Sequence, residues 1–203
     1  MSADRLDELE GRLNQAVFDL YQLNAAERDL VRDMCGVGLD FLHGKQSSSA
    51  VRALTLPGIR AGIAGGKVAK VGTEIEEYIQ LFLRIWSNDL DSRTKMRWQL
   101  FSSQLGAPLI ALLFTFDREE PSKRTTRPVA SDAWDNVLNM LDSGSFQSVG
   151  SRQIYTDSFV RVFADDAILL IKRNEKRFWT HSAAREDAEA TQLQAMLRQG
   201  ALR

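Results

Sequence analysis

One cysteine, Cys35, stands among 203 residues, which excludes an internal disulfide framework and any cysteine-rich zinc site. A lone thiol suits a reducing compartment. Its neighbours Met34 and Val37 predict that it is buried, and no basic cluster beside it favours the thiolate. Charge of one sign is lacking too. Lys and Arg number 26 against 27 Asp and Glu, a net charge of −1, so any contact with nucleic acid must use a local patch rather than a general basic excess. Long hydrophobic runs are missing. The longest, residues 108–116, is far too short to cross a bilayer. The start, with Asp4, Asp7, Glu8 and Glu10, has no apolar leader segment. These absences predict a cytoplasmic protein that does not engage membrane. With 44% hydrophobic and 26% charged residues, the chain has enough apolar material for a core without covalent staples.

The apolar positions set the organisation. Leu6, Leu9, Leu13, Ala16, Val17, Leu20 and Leu23 recur at three- and four-residue steps and predict a helix over 3–23. Asn24 with Glu27 is a capping-box variant that opens a second helix to residue 43, closed by Gly44. Residues 44–72, with Ser47, Ser48, Ser49, Pro57 and a glycine-rich run at 58–67, read as a mobile linker. A third helix follows over 73–89, buried through Ile75, Ile79, Phe82, Leu83, Trp86 and Leu90. The period then becomes two: Met96, Trp98 and Leu100 mark a strand, and 109–116 a strand covered on both faces. A charged loop over 117–127, a short helix over 131–141, a hairpin of strands 153–163 and 167–172, and a terminal helix over 182–198 complete the reading. The expected fold is α+β: a helical pair (1–44) serving interaction, a linker (45–72), then a small mixed or antiparallel sheet packed with helices (73–203). The apolar row of the first helix, Leu6, Leu9, Leu13, Val17 and Leu20, is longer than a small body covers and predicts a homodimer or partner interface.

No catalytic pattern is complete. The run at 58–67 ends in Gly66-Lys67, but a phosphate loop also needs glycine where Ala61 stands and a hydroxyl where Val68 stands. His43 and His181 are remote from each other, and neither has a nucleophile and carboxylate at triad spacing. Asp157, Asp165, Asp166 and Lys172 lie on the predicted hairpin, yet their spacing departs from that of a metal-dependent nuclease. No catalytic, cofactor or metal residue is therefore assigned. Two basic stretches remain as candidate nucleic-acid contacts: Lys123, Arg124 and Arg127 on the charged loop, and Lys172, Arg173, Lys176 and Arg177 beside Phe178 and Trp179. The second reads more readily as aromatic residues packing the last helix onto the sheet while the cations stay solvated.

Residues 17–31, Val-Phe-Asp-Leu-Tyr-Gln-Leu-Asn-Ala-Ala-Glu-Arg-Asp-Leu-Val, resemble the Val-x-x-Leu-Tyr-Gly-Leu segment and following acidic helix of bacterial adenine-specific DNA methyltransferases from restriction and phage-defence systems. The tail, through Ser151 to Asp157, Ile171 to Asn174, Arg177 to Thr180 and Ser182 to Ala188, is similar to the C-terminal region of some of these proteins. The chain carries neither their glycine-containing cofactor loop nor an Asn-Pro-Pro-Tyr or Asp-Pro-Pro-Tyr motif. The resemblance therefore implies a detached, non-catalytic module. Such a module is an accessory or specificity-type subunit that assembles with a methyltransferase or another defence component and contacts DNA or enzyme. The competing expectations are a stand-alone DNA-binding module and a cryptic metal-dependent nuclease.

Overall fold

The computed structural model describes residues 3–54, 60–63, 73–91, 94–102, 108–117, 159–164 and 167–201. In chain order these form α1 (Ala3–Leu20), α2 (Ala25–Asp33), a wide π-helical stretch (Met34–Gly38), α3 (Leu39–Gly44), β1 (Arg60–Ile63), α4 (Thr73–Ser87), β2 (Lys95–Ser102), β3 (Leu109–Asp117), β4 (Phe159–Ala164), β5 (Ala167–Arg173) and α5 (His181–Ala201). The fold is α+β. The predicted helix over 131–141 and the first part of the predicted strand over 153–163 lie outside the described residues.

The five strands form one antiparallel sheet in the order β1-β2-β3-β5-β4. Ala164 pairs with Ala167, so β4 and β5 are paired antiparallel as the hairpin reading expects, and Asp165-Asp166 between them lie outside the described residues. Period-two alternation places Met96, Trp98 and Leu100 of β2, Ile110, Leu112 and Phe114 of β3, and Ile168 and Leu170 of β5 on one face. There they form a core with Ile75, Ile79, Phe82 and Trp86 of α4 and Ala184 and Ala188 of α5. Phe82 stacks on Phe114 at 4.2 Å, and Tyr78 meets the edge of Trp179 at 5.0 Å. On the opposite face Phe101, Ala111, Leu113, Leu169 and Ile171 are buried as well, as the nearly continuous apolar run of β3 predicts.

The N-terminal helices depart from the sequence reading in instructive ways. The capping box is present: Asn24 Oδ1 accepts from the amides of Ala26 (2.9 Å) and Glu27 (3.0 Å), and the Glu27 carboxylate accepts the Asn24 amide at 2.8 Å. The first helix stops at Leu20, however. Gln22 adopts φ 53° and the Leu23 amide reaches back to the Phe18 carbonyl at 3.0 Å, a terminus usually built on glycine. Beyond α2 the helix widens into the π turn, which rotates Val37 inward and leaves Cys35 exposed. The expectation of a buried thiol is corrected accordingly.

The described part of the expected linker is folded. Two 3-10 turns, Lys45–Ser47 and Ser49–Val51, follow α3. The serines grip the Asp40 carboxylate, with Ser48 Oγ donating at 2.6 Å and Ser49 Oγ at 2.8 Å. Those two hydroxyls hold the Asp40 carboxyl below its usual range. The turns come so close that a Cβ on Gly44 would sit 3.1 Å from Ser48 Cβ. The chain then joins the core. Asn174 Oδ1 accepts from the Leu54 amide at 2.8 Å, Asn174 Nδ2 donates to the Leu54 carbonyl at 3.4 Å, and Lys176 N donates to the Arg52 carbonyl at 3.0 Å. A polar side chain buried with both ends satisfied is costly to truncate. Asn174→Ala is expected to lower stability by about 2 kcal/mol, read as a lower urea midpoint at unchanged slope; a change under a few tenths would show that this tether is dispensable.

Candidate functional site

The strongest concentration of ionisable groups lies between sheet and helices. Alternation that buries Ile168 and Leu170 buries Lys172 with them, because all three share the helix-facing side of β5. Arg161, opposite Leu170 on β4, shares that side. Both reach Asp187 on α5, which lies in the stripe of Ala184, Ala188, Thr191 and Ala195 that packs on the sheet and α4. Lys172 Nζ ion-pairs with Asp187 Oδ2 and donates to the Phe178 carbonyl at 3.1 Å. Arg161 Nε donates to Asp187 Oδ1 at 2.9 Å, and its terminal nitrogen reaches Asp187 and also Glu186 at 3.3 Å. Tyr78 of α4 donates its hydroxyl to Asp187 Oδ2. The Lys172 ammonium also lies over the rings of Tyr78 (5.0 Å) and Trp179 (5.5 Å).

Electrostatics follow from burial. Lys172 is 4% exposed and Asp187 1%. Burial pulls the Lys172 ammonium below its ordinary value, offset in part by the Asp187 carboxylate. Burial, then the negative charge of Asp187, pushes the Tyr78 phenol well above 10.0. Burial would lower Arg161 as well, but the Asp187 carboxylate beside it holds the guanidinium above its usual value. The arrangement has the composition of an acid–base centre. Its geometry is that of a satisfied structural junction: each polar group in it points at another. An apolar groove of about 1060 Å³ on the arm is lined by Met34, Leu39, Phe41, Leu42 and their neighbours up to Ser47, and by none of these groups. Among the described residues no cluster of three or more His, Cys, Asp or Glu could hold a metal ion.

A second junction docks the helical arm on the body. Asp29 and Asp33, one turn apart on α2, meet the start of α5. The Asp29 carboxylate accepts from Arg185 Nε (3.0 Å) and its terminal nitrogen (2.8 Å), while Asp33 Oδ2 accepts the Ser182 amide at 2.7 Å. The carboxylate of Asp33 thus caps the positive end of α5. His181 lies between Asp29 (3.6 Å) and Glu77 of α4 (3.3 Å). Sequence reading missed both junctions. The available signals were the one-turn spacing of Asp29 and Asp33 and the placement of Lys172 and Asp187 in phase with buried neighbours.

The sequence-predicted residues divide clearly. Lys172 and Trp179 are buried, Trp179 at 1% with its indole nitrogen on the Arg173 carbonyl at 2.9 Å; as nucleic-acid contacts they are corrected. Arg173 and Arg177 both pair with Glu175, at 3.6 and 2.7 Å, and Arg177 stacks over Phe41 and Phe178. Lys176 is half-buried. Lys123, Arg124 and Arg127 lie outside the described residues, as do Asp157, Asp165 and Asp166. Of the glycine-rich run, 60–63 is strand β1 paired with β2, which is not the backbone of a phosphate cradle. The proposed interface residues Leu6, Leu9, Leu13, Val17 and Leu20 are all exposed. No helix among the described residues is long and apolar enough to cross a membrane.

No family model matches this chain, and neither the curated proteins nor the solved structures provide a match.

The raised phenol makes a prediction with a definite sign. A folded value above the unfolded one gives stability that is full below the unfolded value near 10.0 and is lost as pH rises through the folded value. In an ultraviolet alkaline titration, Tyr78→Phe is expected to leave the folded-state phenolate signal unchanged and to remove amplitude only from the unfolding step. It should also cost about 2 kcal/mol, as loss of a hydrogen bond to a charged acceptor. A phenolate signal that falls in the folded state would show Tyr78 open to solvent.

Proposed function

We propose that this chain is a non-catalytic accessory or specificity-type subunit of a bacterial DNA-modification or anti-phage system, working in the cytoplasm by protein contact made through its helical arm. The carrying observation is the outward face of that arm. Beside Leu6, Leu9, Leu13, Val17 and Leu20 of α1, the large apolar side chains of Tyr21, Leu30, Met34, Leu39 and Leu42 are exposed. Isolated surface leucines mean little, but this many large apolar side chains exposed along successive helices support an interaction surface. The resemblance of residues 17–31 and of the tail to methyltransferases supplies the partner class, a DNA methyltransferase or another defence-system protein.

The ionisable groups of the body favour this reading over its competitors. Lys172, needed by either a base-stacking patch or a nuclease centre, is tied to Asp187 inside the protein. Arg173 and Arg177 are balanced by Glu175. DNA contact, where it occurs, then falls to the partner or to Lys123, Arg124 and Arg127.

The test is affinity purification of the full chain from its native host. A methyltransferase or other defence protein is expected at stoichiometric yield, falling at least tenfold with Leu30→Asp/Leu42→Asp, two exposed positions whose change leaves the core intact. Recovery of no methyltransferase, nuclease or helicase would overturn the proposal. In a low-salt mobility shift on duplex DNA, any retardation is expected to be unchanged by Arg173→Ala/Lys176→Ala; loss of retardation in that variant would restore the DNA-binding reading of 172–179.

A further inference from the structure

We propose that α1 is one strand of a parallel, in-register, two-stranded coiled coil whose other strand is α1 of a second copy of this chain. This rests on the reading of the arm as a contact surface and names the occupant of its first helix.

The argument starts from what α1 touches. Its residues from Asp4 to Val17 are all exposed, with Leu13 at 64%, and Leu20 beyond them is 76% exposed. Phe18 is the buried exception, turned between the guanidinium groups of Arg28 and Arg32 on α2 at 5.7 and 5.3 Å. A helix with almost no packed face gains little of the tertiary contact that stabilises most protein helices. Gly11, with open space around its Cβ position, weakens it further. Among the described residues only Phe18 of this helix is buried, so cover of its open face by a second chain would stabilise it.

The pattern of the uncovered face selects the cover. Within α1, Leu6, Leu9, Leu13, Ala16 and Leu20 follow at steps of three, four, three and four, the a and d positions of a heptad. Most of the flanks are polar: Asp7, Glu8, Glu10, Arg12, Asn14 and Gln15. A helix laid on a globular body shows a wider apolar face, whereas an a/d row alone is a coiled-coil seam. Phe18 takes the f position, away from that seam, so the intramolecular contact and the proposed one use opposite sides.

Charge sets the orientation. With Leu6 at a, Arg5 falls at g and Glu10 at the next e. In a parallel pair these positions face each other across the two chains, so Arg5 meets Glu10 of the second copy, twice by symmetry. Neither has a side-chain partner among the described residues. The antiparallel alignment of the same leucines would set Arg12 against Asp19, but Asp19 is already held at 2.9 Å by both Arg28 and Gln15. Those two hydrogen bonds also keep the Asp19 carboxyl below its usual range. The short seam, with Ala16 in one layer, gives a reversible, concentration-dependent dimer that presents two arms to a partner.

Sedimentation equilibrium of the full chain in a Cys35→Ser background is expected to move from one to two chain masses across the micromolar range. Leu9→Asp/Leu13→Asp should weaken association at least about 100-fold, since it places charges in the seam. Arg5→Glu should weaken it severalfold, and Arg5→Glu/Glu10→Arg restore it. Leu9→Cys should oxidise to a disulfide-linked dimer with itself. An unchanged near-ultraviolet spectrum from the four tryptophans verifies the body in each variant. The proposal is overturned by a single chain mass at every concentration, by a dimer that survives Leu9→Asp/Leu13→Asp, or by Leu9→Cys linking only to Leu20→Cys, the antiparallel signature. A monomer that still captures a methyltransferase sinks this proposal and leaves the proposed function standing.

Discussion

The carboxylate of Asp187 is the point on which the body of this protein turns. It stands on α5, reaches the sheet through Lys172 of β5 and Arg161 of β4, and reaches α4 through the Tyr78 hydroxyl. Three neighbouring elements at the end of the chain and one about a hundred residues earlier thus share one anion. Hydrophobic contact is non-directional and would permit α5 to slide along its alanine stripe. A buried carboxylate with fixed donors permits one register. Whether such a pair adds net stability over apolar substitutes depends on desolvation; breaking it from one side leaves an uncompensated buried charge and is strongly destabilising.

The same logic governs the arm. Asp29 and Asp33 hold α2 against the first turn of α5, and Asn174 pins residues 52–54 to the end of β5. The arm is therefore fixed to the body by polar contacts whose partners are more than a hundred residues apart, while most of its leucines are exposed. That division, polar contacts inward and leucines outward, is the reverse of what a helical pair folding on its own would show, and it is the basis of the proposed contact role.

Elements with a strong period were legible from residues alone. The helix over Thr73–Ser87, the strands β2 and β3 and the β4–β5 hairpin follow from spacing that local geometry imposes. What escaped was set by distant partners. The segment 45–54 has a linker's composition, but Asp40 and Asn174 give its serines and backbone specific acceptors and donors. Cys35 has apolar neighbours, but the π turn shifts the helical phase and brings it outside. Lys172 reads with its charged neighbours as an exposed patch, although it stands two residues beyond Leu170 on a strand and so on the buried side. Asp187 was hidden because α5 packs through alanines, which barely mark a face. The row on α1 was legible as an apolar stripe from its period, and its residues are exposed among the described ones.

The central claim is that Lys172 belongs to the fold and leaves function to the arm, and a double-mutant cycle tests it most directly. Lys172→Met, Asp187→Leu and the double variant are compared with the parent by urea unfolding. The expected result is a loss of about 3 kcal/mol or more for each single variant. The double should lose less than the sum, with a coupling of about 2 kcal/mol. Single variants that cost less than about 0.5 kcal/mol and add without coupling, the behaviour of surface charges, would contradict it and return Lys172 to the list of groups available to a ligand.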